Sequence, residues 1–553
     1  MRQSETKNAQ RKQTRYTGHI RAYQRRGRMG IDLEKCVLGL EFGSTRIKGV
    51  LIDENHKPVA SGDFAWENRI ENGVFVYHLE DAREGLRACF GALRRDVQEK
   101  YGQTLTKVQA IGISAMMHGY MVFDGEWNQL APYRSWRNVI TGPASRELTE
   151  LFRYNIPQRW SVAHLYQAIL NKEEHVKDIV HLSTLSAYIH HLLTGKFVVG
   201  IDEASGMFPY DDAVKGYDQK RMELFDDLVE KYHYPWKLRD LLPEVLMAGE
   251  CAGTLTPEGA ALLDETGMLR SGIPLCPPEG DGATGMVATG AVVPRTGSVS
   301  AGTSGYTMLV CERPLQGYDH KIDVLMTPTG KTVAFAHINT CTPEINVWVS
   351  LMAQSMRRMG LEPDMNELFT KLFQAAMEGN PDCGGCISYN YFAGEPLTDT
   401  DTGRPMFVRL PESKVTLGNF MRAQLYGAIA TMKLGVDFLR EKEHVEVDRL
   451  LGQGGYFKTP GVGQQILADA FHAPITVLST AGEGGPWAMA LLAAYMVRKE
   501  DGESMEDYLE KRVFSQAQGV TLKPDPAGEA GFEAYMRRYR EGLDAQRAAA
   551  DII

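Results

Sequence analysis

Gly39-Leu40-Glu41-Phe42-Gly43-Ser44-Thr45, entered from Val37-Leu38 and left through Ile47-Lys48-Gly49-Val50-Leu51-Ile52, is an apolar strand, a Gly-Ser-Thr turn and a second apolar strand. The same arrangement returns half a chain later, where Val299-Ser300-Ala301-Gly302-Thr303-Ser304-Gly305 leads into Tyr306-Thr307-Met308-Leu309-Val310. Short turns of this kind point consecutive backbone N–H groups and hydroxyls into one concavity that suits phosphoryl oxygens. The carboxylate of Glu41 beside the first turn suits a hydrated Mg²⁺. One such turn alone reads as an ordinary hairpin. The repetition points to a nucleotide held between two similar halves.

At 553 residues the chain exceeds what one hydrophobic core usually holds, so two domains of roughly 250 residues are expected. The apolar fraction of 43% is ample for globular folding. No run approaches the roughly 18 uninterrupted apolar residues of a membrane span and no signal peptide opens the chain, so a soluble, cytoplasmic protein with no membrane partner is expected. Eight cysteines without regular spacing fit reduced thiols better than a disulfide framework. The one tight pair, Cys383-Gly384-Gly385-Cys386, precedes a strand rather than opening a helix and reads as structural, with metal binding the lesser alternative. Residues 1–28 carry nine Lys/Arg against Glu5, a local charge of +8 that leaves the rest of the chain at −18. So acidic a body argues against nucleic acid as the main partner. The tail itself lacks apolar periodicity and reads as a disordered extension.

Strands are predicted from Cys36 to about Leu79, including Pro58 to Phe64 and Val74 to Tyr77, followed by a helix from Glu80 to Lys100 and strands again over Val108 to Ser114 and Tyr120 to Phe123. Residues 144–195 read as largely helical, stopping at Thr194-Gly195. Short helices and loops alternate over 200–280, and the domain junction falls near 285–295. The second half repeats the order: strands over 298–339, helices over 343–379, a long helix from Leu417 to His444 and a helical section after Trp487. No low-complexity linker separates the halves, which favours a shared cleft over a tether.

Five stretches stand in an order that resembles the FGGY carbohydrate kinases: Gly39 to Thr45, Ile113-Ser114-Ala115-Met116-Met117-His118-Gly119, Glu279-Gly280-Asp281-Gly282, Ser300 to Gly305, and Gly452-Gln453-Gly454-Gly455. The resemblance runs from about Cys36 to the C-terminal helices. It implies an α/β fold of two ribonuclease-H-like domains, of the actin/hexokinase ATPase type, around a central cleft. The expected division is a basic extension over 1–34, an N-terminal domain over 35–290 and a C-terminal domain over 291–553.

The roles that follow are those implied by the resemblance. Asp281 is the catalytic base that deprotonates the attacking sugar hydroxyl, a task suited to a positioned carboxylate. Met117, His118, Trp136, Asn138, Asp281 and Gly282 face the sugar. Gly43, Ser44, Thr45, Lys48, Gly302, Thr303, Ser304, Gly454 and Gly455 serve ATP, with Lys48 either by the phosphates or on the strand surface. Glu41 and Asp281 serve Mg²⁺. Gly482-Glu483-Gly484-Gly485-Pro486-Trp487-Ala488 resembles the start of the helix lining the adenine pocket. Two departures stand out: Glu41 replaces the usual Asp, moving the carboxylate about one methylene outward, and Asn138 stands where an Asp is usual, which adds an amide donor. The expected activity is ATP-dependent phosphorylation of a terminal hydroxyl of a small ketose such as xylulose or ribulose. The alternative is a nucleotide-binding ATPase or scaffold with a diverged sugar site. A sugar and ATP are the implied partners, and a homodimer is compatible with them.

Overall fold

A computed structural model describes residues 31–478, 484–515 and 517–552. Most of the basic extension, together with Gly482 and Glu483, lies outside the described residues. Residues 31–34 are ordered, against expectation: Leu33 opens a short helical turn, Leu33–Lys35, and its side chain is buried in the first core.

The first hairpin is β1 (Val37–Phe42) with β2 (Arg46–Ile52), and β3 (Pro58–Ala65) extends it antiparallel. Helix α1 (Leu79–Tyr101) buries Leu79, Ala82, Leu86, Cys89, Phe90, Leu93 and Val97, spaced as one helical face, and stops at Gly102, whose φ of 68° only glycine adopts freely. β4 (Ala110–Ala115) then pairs parallel on the other side of β1. After helices over 142–152, 161–170 and 185–194 comes the short helix α2 (Ile201–Ser205). β5 (Glu279–Gly280) pairs parallel with β4 and passes straight into helix α3 (Asp281–Thr289). The sheet order is β5-β4-β1-β2-β3.

The second half is built on the same plan. β6 (Thr296–Ala301) and β7 (Gly305–Val310) form the second hairpin, β8 (Asp323–Met326) and β9 (Thr332–Ile338) extend it, and the long helix α4 (Leu417–Glu443) starts where Thr416 accepts a hydrogen bond from the Asn419 N–H. β10 (Arg449–Gln453) lies parallel to β6, helix α5 (Val462–Phe471) follows, and β11 (Ile475–Leu478) lies parallel to β10. Helix α6 (Gly484–Arg498) comes next in the chain. β12 (Gly519–Leu522) then adds an antiparallel edge, and helix α7 (Pro526–Glu541) closes the unit. The order is β8-β9-β7-β6-β10-β11-β12. Within it, β9-β7-β6-β10-β11 repeats the directions of β3-β2-β1-β4-β5. The section after Trp487 is thus not wholly helical: β12 is four residues with three exposed, too short and too solvated to announce itself by alternation.

Helix α6 does not stay with the second half. It lies on the first sheet, where Gly39 of β1 and Gly112 of β4 are register partners. A methyl group on either would collide with the backbone carbonyls of Pro486 and Met489. The paired glycines let a helix backbone rest directly on the strands. One buried cluster accordingly joins the halves: Met286 and Val287 of α3, Met308 and Val310 of β7, and Trp487 to Tyr495 of α6 pack in the same core. Trp487 donates its indole N–H to the His56 carbonyl at 2.8 Å.

Candidate active site

The two Gly-hydroxyl turns sit at corresponding strand ends, and in each the carbonyl groups are tied back into the protein. In the first, the Trp66 indole N–H donates to the Gly43 carbonyl (2.7 Å), the Tyr77 hydroxyl to that of Ser44 (2.7 Å) and the Trp66 backbone N–H to that of Thr45 (3.1 Å). In the second, Thr342 donates its N–H and hydroxyl to the Gly302 carbonyl (2.9 and 2.7 Å), Cys341 N–H to that of Thr303 (2.9 Å) and Gly302 N–H to that of Ser304 (3.0 Å). Among the described residues, the backbone N–H groups of Ser44, Thr45, Thr303 and Ser304 make no backbone hydrogen bond. Fixed carbonyls with free amides make an anion-binding nest. Gly454, at φ 104°, lets the turn after β10 press against the Ala301 carbonyl at the end of β6, and Gly455 faces open space.

Glu41 and Lys48 are opposite each other in the β1–β2 ladder, with the ammonium 3.8 Å from the carboxylate. The strand register thus places Lys48 beside Glu41 on the same face of the sheet. Burial raises the Glu41 pKa, Lys48 opposes the rise, and the charge of Asp281 adds to it. Asp281 is the first residue of α3, a helix start rather than the Gly-flanked loop read from sequence. Asp281 is exposed to solvent, and its carboxylate accepts the Met117 N–H at 3.2 Å. Desolvation raises its pKa, while the Met117 N–H and the charge of Arg159 hold the rise back. Met117 packs over Gly280 and Gly282, where any side chain would strike its thioether.

His118 adopts a left-handed backbone (φ 69°), strained for any residue but glycine. Its Nδ1 is 3.1 Å from the Gly206 carbonyl, its ring stacks on Trp160, and Nε2 has no partner among the described residues. Burial, aided by Arg159, lowers its pKa to about 3, so the ring is neutral. Trp136 is half-buried beneath the Arg137 guanidinium. Asn138 is tied into the backbone. It is 2% exposed, its Oδ1 accepts the Phe75 N–H and its Nδ2 donates to the carbonyls of Phe75 and Ser135. With its Nδ2 given to two backbone carbonyls and its Oδ1 accepting the Phe75 N–H, Asn138 pins its segment to a neighbouring strand.

The opposite wall went unread in the sequence. Tyr306 of β7 reaches across toward Gly285 of α3, accepts from Gln453 Nε2 at 3.3 Å and has its pKa raised to about 12, by burial first and the Asp281 charge second. Phe335 and His337 of β9 lie beside it, and Arg159, ion-paired with Asp323, covers Phe335. Burial lowers the His337 pKa to about 4. Alternating exposure on β9 was the available signal, but pointing to a cleft required knowing which sheet faces which.

Helix α6 begins with Gly485 lying against the Glu41 carboxylate and the Thr284 hydroxyl. Cys383 and Cys386 are buried, and among the described residues no group of three or more His, Cys, Asp or Glu side chains could enclose a metal. Behind Asp281 lie three further acids, Asp202, Glu203 and Glu279, all at most 1% exposed. Burial raises Asp202 to about 8 and puts Glu203 and Glu279 well above the usual carboxylate range.

Comparison with known proteins bears on this geometry. The profile described as "FGGY family of carbohydrate kinases, N-terminal domain" matches residues 36–288, and that of the C-terminal domain matches residues 297–497. The chain is similar to the xylulose kinase of Haemophilus influenzae, 22% identical over 80% of this chain and 87% of that protein. It is also similar to the sedoheptulokinase of Mus musculus, 23% identical over 79% and 93%. In fold it is similar to the gluconate kinase of Lactobacillus acidophilus, with a TM-score of 0.76 and 17% identity over 93% of this chain and 99% of that one.

Proposed function

The chain belongs to the FGGY family of carbohydrate kinases and is a phosphotransferase of the sugar-kinase type; from that premise we propose that it moves the γ-phosphate of ATP to a terminal hydroxyl of a small ketose, a pentulose of the xylulose or ribulose type. The observation that carries this reading is Asp281, pinned by the Met117 N–H, with its charge acting on both Glu41 and, from the other half, Tyr306. A carboxylate whose pKa is raised by desolvation is a stronger proton acceptor than one in water. The sugar hydroxyl loses its proton to Asp281 as its oxygen bonds the γ-phosphorus and the bond from that phosphorus to the β-phosphate oxygen breaks. His118 Nε2 and the Tyr306–Phe335–His337 wall orient the sugar, and the free amides of Ser44, Thr45, Thr303 and Ser304 receive phosphoryl oxygens.

Mg²⁺ brought with ATP supplies positive charge against the transferring phosphoryl group. Glu41 and Asp281 would hold it, a donor set that fits, because Mg²⁺ commonly takes one or two carboxylates and completes its shell with water and phosphate. The choice of a pentulose follows the xylulose kinases among the relatives.

An ADP-release screen with Mg-ATP over ketopentoses, ketohexoses, a heptulose, aldonates and polyols tests both levels. Turnover should rise most with a ketopentose. A heptulose or aldonate ranking first would overturn the pentulose assignment alone. Slow hydrolysis indifferent to every sugar would favour the scaffold alternative.

A further inference from the structure

Two helices meet behind Asp281, and first-turn N–H groups of each are received by an acid from α2 or from the strand leading into α3. Asp202, on α2, accepts the Ala283 N–H of α3 through Oδ2 at 2.8 Å. Glu279, the residue that leads into α3, accepts the Glu203 N–H of α2 through Oε2 at 3.3 Å, and the Asp202 N–H lies against the same carboxylate. First-turn N–H groups have no partner inside a helix and must find one outside it. The exchange is sterically committed: a methyl on Gly200 would occupy the place of the Glu279 carboxylate, and one on Gly282 would press on Asp202 Oδ1 at 3.1 Å.

Helix α2 is also tied at its other end. The Ser205 hydroxyl donates to the Asp202 carbonyl at 2.6 Å and accepts the Met326 N–H of β8 at 3.2 Å, which joins it to the second half. The Gly206 carbonyl that follows α2 holds His118 Nδ1. One buried five-residue helix thus touches the helix carrying the base, the histidine at the sugar and the opposite half.

We propose that Asp202 and Glu279 are positioning residues, whose exchange of helix-capping hydrogen bonds between α2 and α3 sets the Asp281 carboxylate in line with the sugar hydroxyl. The inference rests on Asp281 being the base. Asp281 stands at the first position of α3, so a small rotation of that first turn carries its carboxylate off line, and a displacement near 1 Å can cost on the order of 10² in rate.

Steady-state kinetics of the full chain with Mg-ATP and its best sugar test this. Asp202→Ala should lower kcat by about 10- to 100-fold while the KM values for sugar and ATP stay within about threefold, the signature of lost transition-state geometry rather than lost binding. Asp202→Asn, which keeps a carbonyl oxygen for the Ala283 N–H, should remain within about fivefold of wild type. An unchanged kcat in Asp202→Ala, or equal losses in the Ala and Asn variants, would overturn the proposal. Glu279→Ala should lower kcat and also raise the sugar KM, because it loosens the helix that orients His118, and Glu279→Gln should restore both. If Asp202→Ala is not recovered folded, the Glu279 pair carries the test, and failure of Gln to restore activity overturns the exchange. Asp281→Asn is measured alongside. Wild-type transfer in that variant would overturn both the base and the exchange, whereas an inactive Asp281→Asn beside a fully active Asp202→Ala would overturn the exchange alone.

Discussion

At the same register in the two hairpins, two residues before the turn glycine, the side chains differ in kind. Glu41 faces Lys48 across β1 and β2, whereas Ser300 faces Tyr306 across β6 and β7. On the parallel side the neighbours are Ser114 for Glu41 and Gln453 for Ser300. The turns are also held differently. Trp66 and Tyr77 restrain the first with side-chain donors, while the second relies largely on the backbone N–H groups of Cys341 and Thr342. One fold plan therefore supplies a charged wall and a neutral wall. Charge changes during phosphoryl transfer are concentrated around the transferred group, so ionised residues are useful on the wall that also carries Asp281. The other wall has only to offer shape and neutral hydrogen bonds.

The largest expected effect would break this comparison outright. Asp281→Asn should cut phosphoryl transfer by roughly 10²–10⁴-fold while calorimetry still finds sugar and ATP bound, since the amide fills the same space. Near-normal single-turnover transfer would remove Asp281 from the chemistry and leave the charged wall without a purpose. Next in size, Glu41→Gln should lower Mg²⁺-dependent turnover by about 10- to 100-fold, with Glu41→Asp much closer to wild type. Its positional counterpart, Ser300→Ala, should cost no more than about threefold. Matching losses in Glu41→Gln and Ser300→Ala would show that the two positions do the same work.

A smaller contrast sharpens the point about restraint. Trp66→Phe removes the donor to the Gly43 carbonyl and should raise the ATP KM by about fivefold, the value of one hydrogen bond. Thr342→Val keeps the backbone N–H on the Gly302 carbonyl and should change it by less than about twofold. Inverted ranks would show that the second turn, not the first, depends on side chains.

The smallest effect concerns acid stability. His164 is fully buried, stacked on Tyr120, with neither ring nitrogen partnered among the described residues, and burial lowers its pKa to about 3. The folded state keeps the ring neutral while the unfolded chain takes a proton below its ordinary value near 6.5. Its contribution is therefore full above that value and is lost as pH falls toward 3. Buried acids with raised values, such as Glu395 at about 7, act oppositely and lose stability as pH rises through their window. His164→Leu should move the acid midpoint of unfolding downward by on the order of a few tenths of a pH unit. A midpoint that rises, once stability at pH 7 is matched, would contradict the burial argument.

Much of the architecture was legible because it is locally encoded. Two apolar strand pairs around Gly43 and Gly302, the helix over Glu80 to Lys100 and the stop at Gly195 all follow from side-chain period and glycine geometry. Asp281 was singled out by the family resemblance and by its place ahead of the second hairpin, and the structure sets it at the start of α3. Lys48 was undecided until strand register paired it with Glu41, and β12 carried too little burial to leave a pattern.

The sequence by itself determined the two hairpins, their turns, the acidic body and the kinds of chemistry available, because periodicity and backbone preference act over a few residues. Tertiary structure alone decided which distant groups meet. It spent the Asn138 amide on the Phe75 backbone, laid α6 across Gly39 and Gly112, and brought Asp202 and Glu279 behind Asp281. Those meetings depend on how closely packed surfaces exclude water and satisfy buried polar groups, and neither condition is written in any short stretch of residues.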